Sequence, residues 1–230
     1  MNGLHDIGNS TRIFWLNNII CIIGMCISIY GLLDISHTNY FNVKMNISIK
    51  KFFFITNSTL LFSFISFLMT LITQYTDKFN IRVISAHITS TVLSSEILIF
   101  LIFWPIFVYN PNLVFPKSSL YGDTKITLFS NLCMHAFPCL LLFISYILNN
   151  TLITPGYTYI LYYTAYTIII SCIYKYINGY YRYNILNKYN KYIIIVPIIS
   201  YIMIYMINSI IYIVKIRVRQ YINKSIRVYE

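Results

Sequence analysis

Residues 83–109 read VISAHITSTVLSSEILIFLIFWPIFVY, and the one Asp, Glu, Lys or Arg among them is Glu96. A helix crosses the hydrocarbon core of a bilayer on about 20 consecutive, predominantly apolar residues, so this run is long enough. Comparable runs recur along all 230 residues, of which 58% are hydrophobic and only 10% charged, with a mean hydropathy of +0.67. Soluble domains carry about 25% charged residues to cover their surface. This chain cannot do that, and the bilayer itself must be its solvent.

The runs predict an all-α, polytopic membrane protein with six transmembrane helices in one bundle. The expected spans are 13–33, 52–73, 83–109, 126–148, 154–176 and 192–215, forming one transmembrane domain over 1–230 with a basic tail at 216–230. Pro105 falls near the end of the third span, where a helix tolerates it. Pro138 falls inside the fourth and is expected to kink it. The first run follows a polar leader and is too long for the core of a cleavable signal, so it reads as a span. No internal repeat and no separate soluble domain is visible.

The formal charge is +11, from 17 Lys and Arg against 6 Asp and Glu. The bases sit mostly in loops and tails between spans. The default partner is therefore anionic lipid headgroups rather than nucleic acid, most clearly for Lys215, Arg217, Arg219, Lys224 and Arg227. With six spans both termini share one side. That side carries 8 Lys and Arg and the other 9, so the positive-inside rule does not choose an orientation. The cysteines Cys21, Cys26, Cys133, Cys139 and Cys172 all fall within expected spans and form no C-x-x-C pair, which indicates neither a disulfide framework nor a zinc site. No Gly-rich phosphate loop or ligand cluster points to a nucleotide, flavin, haem or metal, so no cofactor is expected. Oligomeric state has no signature in the chain.

Two polar stripes mark inward faces. Thr56, Thr59, Ser63, Ser66 and Thr70 recur at three- and four-residue spacing on the second span, and Ser85, Thr89 and Glu96 share a face of the third. The structural reading is close helix packing through small residues; the functional one is a ligand-lined or solvated cavity. Within a span an imidazole is costly unless it has a partner or a role, which singles out His135. It lies about nine residues into the fourth span, and Thr56 lies about four residues into the second from the same side. At about 1.5 Å of rise per residue they differ in depth by only about 7 Å. A threonine hydroxyl becomes a nucleophile when a base takes its proton, and neutral imidazole is the usual base. Asn131, one turn before His135, could orient the ring or stabilise an oxyanion. The competing readings are a packed, hydrogen-bonded histidine, a structural threonine, and a Glu96 that serves as an interhelical strut.

The segments Phe103-Trp104, Tyr109, Phe115-Pro116-Lys117 and Asn131-x-x-Met134-His135 together resemble the androgen-induced-gene family of polytopic membrane threonine hydrolases. Phe54-Ile55-Thr56 after Lys50-Lys51 is similar to that family's entry to its second span. Gly179-x-x-x-Tyr183-x-x-Leu186 is similar to the stretch after its fifth, so the resemblance covers about 50–186. It implies an intramembrane threonine nucleophile with a histidine partner, acting on fatty acid esters of hydroxy fatty acids or similar lipid esters. Carried over, these roles fall on Thr56 and His135, with Asn131, Glu96 and Trp104 as supporting candidates. The resemblance also implies an endoplasmic reticulum or plasma membrane protein with cytosolic termini. The chain departs from the family at Leu132, where a histidine is usual, and at Asn110-Pro111-Asn112, where Asp-Arg-Glu is usual. Two other readings stand beside the hydrolase: a small multi-pass transporter or channel lined by the polar stripes, and a catalytically inactive scaffold of the same fold.

Overall fold

The helix that carries residues 83–109 is the centre of the bundle. The computed structural model describes residues 3–37, 55–76, 78–111, 128–149, 151, 154, 156–179 and 195–228. These form α1 (Gly3–His37), α2 (Ile55–Gln74), α3 (Phe79–Tyr109), α4 (Leu128–His135), α5 (Phe137–Leu148), α6 (Tyr157–Asn178) and α7 (Ile195–Val228), with no strand among the described residues. Helix α3 packs against α2, α5, α6 and α7, while α1 closes over α2, α4 and α5 on one flank. The motif segments Lys50-Lys51 with Phe54, Phe115-Pro116-Lys117, and Tyr183 with Leu186 lie outside the described residues.

Five helices are long and apolar enough to cross a membrane: Thr11–Leu32 within α1, Ile55–Gln74, Phe79–Tyr109, Tyr157–Asn178, and Ile195–Tyr221 within α7. The protein is an all-helical, multi-pass membrane protein. Its outer surface carries Ile19, Ile22, Leu101, Ile102, Ile169, Ile202 and Ile210 exposed, a belt that only lipid can cover. The inner cluster joins Cys21 of α1, Phe67 of α2, Leu93 of α3, Leu142 of α5, Ile160 of α6 and Ile211 of α7.

Small residues let these helices approach. A Cβ on Gly24 would fall within the ring of Phe67, and one on Gly31 would lie 3.1 Å from the Cys133 carbonyl and 3.3 Å from Leu60 Cδ1. The polar stripes face inward: Thr59, Ser63, Ser66 and Thr70 on α2 and Ser85, Thr89 and Glu96 on α3 are all buried. Ser63 Oγ lies 2.6 Å from Glu96 Oε1, and the hydroxyls of Thr70 and Thr89 lie 3.4 Å apart. Pairing hydroxyls across the seam satisfies polar groups that lipid could not.

The expected fourth span is broken rather than kinked. Helix α4 ends at His135, Ala136 forms a turn, and α5 starts at Phe137 with Pro138 in its first turn. Pro138 has no N–H to give the carbonyl four residues back, and its ring crowds that carbonyl. The chain yields just before it, and Pro138 then occupies the helical position where its missing donor is harmless. Pro105, by contrast, sits inside a continuous α3. At the far end α7 runs to Val228, so the described part of the basic segment beyond 215 continues the helix. Two of its cations turn into protein: Lys215 Nζ donates to the Thr151 carbonyl at 2.8 Å, and an Arg219 guanidinium nitrogen donates to that of Asn149 at 2.7 Å. They occupy the C-terminal end of α5, where unpaired carbonyls and the helix dipole favour positive charge.

Candidate functional site

The Ser63–Glu96 contact fixes the register of the antiparallel pair α2 and α3. Thr56 lies seven positions before Ser63, and Phe103 seven positions after Glu96. Because the helices run oppositely, both steps go towards the same end of the bundle, by about 10 Å each. Seven residues is two turns less about 20°, so Thr56 keeps the face of Ser63 and Phe103 that of Glu96. Thr56 and Phe103 thus stand at one level on the facing sides of the seam.

The imidazole of His135 stacks on Phe103, with ring centroids 3.6 Å apart and planes 17° from parallel. It is 4% exposed, at the C-terminal end of α4. The break at Ala136 lets this residue end a helix inside the bundle. The same end of α4 is tied to α2 and α1, since the Cys133 carbonyl and the Leu60 side chain both meet Gly31, and Leu60 is one turn from Thr56. Helix order and register therefore put Thr56 and His135 towards the same end of the bundle. Thr56 itself is half-buried in the first turn of α2.

Unsatisfied polar atoms gather here. His135 Nδ1, Asn131 Oδ1 and Trp104 Nε1 are each buried without a hydrogen-bond partner. Asn131 is buried one turn before His135, and Trp104 meets Phe103 edge-on at 5.5 Å. Buried polar groups in native proteins are paired in the great majority. The imidazole's own unpaired nitrogen, with Asn131 one turn away and Trp104 next to the Phe103 ring on which the imidazole stacks, leaves a ring nitrogen, an acceptor and a donor available to something else. Glu96 stands apart from these three, although its Oε2 is likewise buried without a partner. Its fully buried carboxyl lies two turns deeper, against Ser63, where it holds the helices in register.

A model of the FAR-17a/AIG1-like protein family matches residues 16–218. The chain belongs to that family. This is the androgen-induced-gene family whose motifs lie between 50 and 186, and the match carries membership out to α1 and most of α7. No curated protein and no solved structure matches the chain. Within this FAR-17a/AIG1-like chain the family motif residues have visible physical tasks. Phe103 is the platform for His135, and Gly179 ends α6 in the left-handed conformation at φ 76°, which glycine adopts without a Cβ clash. Asn110 caps α3, and Leu132, at the usual histidine position, is half-buried.

Sequence reasoning did not find the aromatic platform, nor the tie between Tyr163 and Thr59, whose hydroxyls lie 2.5 Å apart. With 23 tyrosines and 16 phenylalanines in the chain, no single aromatic stands out by its presence. The signal available was the spacing of Phe103 from Glu96, which repeats that of Thr56 from Ser63.

Proposed function

We propose that this chain is an intramembrane hydrolase of lipid esters, with Thr56 as nucleophile and His135 as its base. The observation that supports the reading is the buried Phe103–His135 stack with an unpaired ring nitrogen, at the end of the bundle where α2 begins with Thr56. Membership of the FAR-17a/AIG1-like family supports it. In this reading the broken pair α4 and α5 makes the sixth crossing, and both termini lie on the cytosolic side.

The chemistry follows from the groups present. The ester enters from the lipid between helices, and its carbonyl carbon meets the Thr56 hydroxyl. As oxygen attacks, His135 takes the proton, and negative charge develops on the carbonyl oxygen. Trp104 Nε1–H, a donor without an acceptor, and the Asn131 amide are suited to that oxygen. Collapse of the tetrahedral species breaks the bond to the alcohol oxygen, which leaves with the proton held by His135. Water then attacks the acyl-threonine, giving its proton to His135, and the acid departs as threonine recovers its hydrogen. The Phe103 stack fixes the ring plane through these transfers, a task that other enzymes give to a carboxylate.

A fluorophosphonate probe is expected to label the purified protein. Thr56→Ala should abolish labelling and lower kcat/KM for a long-chain ester by about a thousand-fold or more, and His135→Ala should do nearly the same. Thr56→Ser, which keeps a hydroxyl, should retain part of the activity. Labelling that persists in Thr56→Ala would place the nucleophile elsewhere and end this assignment.

A further inference from the structure

Four tyrosines of α6, Tyr159, Tyr162, Tyr163 and Tyr166, recur at the spacing of one helical face. Two of them, Tyr163 and Tyr166, tie α6 to α2 at side-chain length, and Tyr159 stacks on His87 of α3. Tyr163 meets the Thr59 hydroxyl at 2.5 Å, Tyr166 donates to Ser58 Oγ at 3.1 Å, and both rings stand edge-on to Phe62. Between them and α3 lies a cleft of about 290 Å³, floored by Ile88, Thr91 and Val92. That is near the lower end of the roughly 300–1,000 Å³ of ligand sites, with room for one chain.

Thr91 differs from the serines next to it on α3. Ser90, Ser94 and Ser95 beside it all donate back to carbonyls three or four residues earlier, at 2.7–3.0 Å. The Thr91 hydroxyl, 3% exposed and lining the cleft, has no partner. A hydroxyl left unpaired in an apolar wall, when its neighbours satisfy themselves, is a polar contact waiting for a ligand. Thr91 lies twelve positions from Phe103 on α3, about 18 Å along the axis. A chain whose ester sits at the level of Thr56 therefore crosses more than half of the roughly 30 Å hydrocarbon core before reaching it. The Tyr163 end of the cleft is tied to Thr59, one turn from Thr56 on the same face.

We propose that this cleft is the acyl-chain subsite of the hydrolase, and that Thr91 recognises one oxygen function, a hydroxyl or carbonyl, carried far along a long chain. The proposal rests on the hydrolase reading for its substrate. It explains why a buried hydroxyl in the wall of a mostly apolar cleft has no partner, and why Tyr163 and Tyr166 rather than aliphatic residues join α6 to α2.

The test uses the full chain in lipid nanodiscs and a non-hydrolysable ether analogue of an octadecanoyl ester with a diazirine near the chain terminus. Photolabel is expected on Ile88–Val92 and Tyr159–Tyr166. Val92→Trp, which fills the cleft, should reduce it about ten-fold, while Ile169→Trp on the lipid-facing side of α6 should not. Thr91→Val keeps the shape and removes the hydroxyl. It should cut about five-fold the preference for a chain with a distal hydroxyl over a plain one. Label confined to other faces in the wild-type protein, or a preference that survives Thr91→Val, overturns the proposal. Fluorophosphonate labelling of Thr56 in the same preparation separates the two readings. If Thr56 reacts and the cleft is unlabelled, the subsite fails alone. If the cleft is labelled and Thr56 does not react, the hydrolase fails and the cleft stands as an oxygenated-lipid site.

Discussion

Two hydroxyls on α2 have more neighbours than protons. Thr59 donates to the Ile55 carbonyl at 2.8 Å, so at the 2.5 Å contact Tyr163 is the donor. Ser63 Oγ lies 2.9 Å from the Thr59 carbonyl and 2.6 Å from Glu96 Oε1, and its single proton cannot serve both. Ser63 donates along the shorter contact, to Glu96 Oε1, while Glu96 Oε2 is buried without a partner. Gln at 96 keeps an acceptor oxygen for Ser63 in nearly the same shape. Glu96→Gln is therefore expected to change stability by about 1 kcal/mol or less and to leave hydrolysis within a few-fold. Glu96→Ala empties a fully buried site and should cost about 2 kcal/mol or more. Unfolding in mixed micelles measures both. If Gln proves as damaging as Ala and also blocks turnover, the carboxylate charge itself is required, which a strut does not explain and a polar conduction path does.

At the scale of elements, the break between α4 and α5 decides where His135 can stand. Pro138→Ala restores the missing donor and permits one continuous helix from Leu128 to Leu148. Closing the turn at Ala136 would swing His135 relative to Phe103, and a displacement of about 1 Å at a catalytic group can cost 10²-fold. The variant is expected to be at least as stable as the parent while losing activity by about ten-fold or more, read by thermal unfolding beside kcat. An active and equally stable Pro138→Ala would show that the break does not position the imidazole. Five of the six expected spans were legible, because runs such as 83–109 and 13–33 contain almost nothing but residues that lipid tolerates. Helix ends were less so. Helix α1 begins at Gly3 and α7 reaches Val228, well outside the apolar windows, since hydropathy reports the hydrocarbon slab and not where backbone hydrogen bonding stops. His135 was legible as an imidazole on an inward face, and it is buried. Its stack on Phe103 was not, because aromatics recur so densely in the chain that sequence cannot say which pairs meet. The choice of Glu96 with Ser63, and with it the level of Phe103, emerges only on packing.

Across the whole molecule the two flanks are held to the bundle by different means. On the α1 side contact is close and glycine-permitted, as at Gly24 against Phe67 of α2 and Gly31 against Cys133 of α4. On the other side α7 packs on α3 through the core that holds Ile204, Ile207 and Ile211, and long polar arms add to it: the tyrosines that tie α6 to α2 and the two cations that tie α7 to the end of α5. Lys215 is 1% exposed, donates to the Thr151 carbonyl and lies 4.0 Å above the centre of the Tyr146 ring. It therefore closes a helix end, makes a cation–π contact and joins α7 to α5 at once. This clamp lies at the opposite end of the bundle from Thr56, because α2 begins, and α4 and α5 begin, at the end where α3 and α6 finish. Removing it should weaken the assembly without disturbing the chemistry. Lys215→Met keeps most of the apolar stem but leaves the carbonyl unpaired, and is expected to cost about 2 kcal/mol. Arg219→Gln, at a half-buried position, should cost less. The pair should fall short of additive, since both cations serve neighbouring carbonyls at one helix end. Turnover per fluorophosphonate-reactive site should stay at the wild-type value in Lys215→Met even as its unfolding midpoint falls. A parallel fall in both would mean that the clamp and the Thr56 end are coupled through α3, and that the bundle moves as one body when either end is loosened.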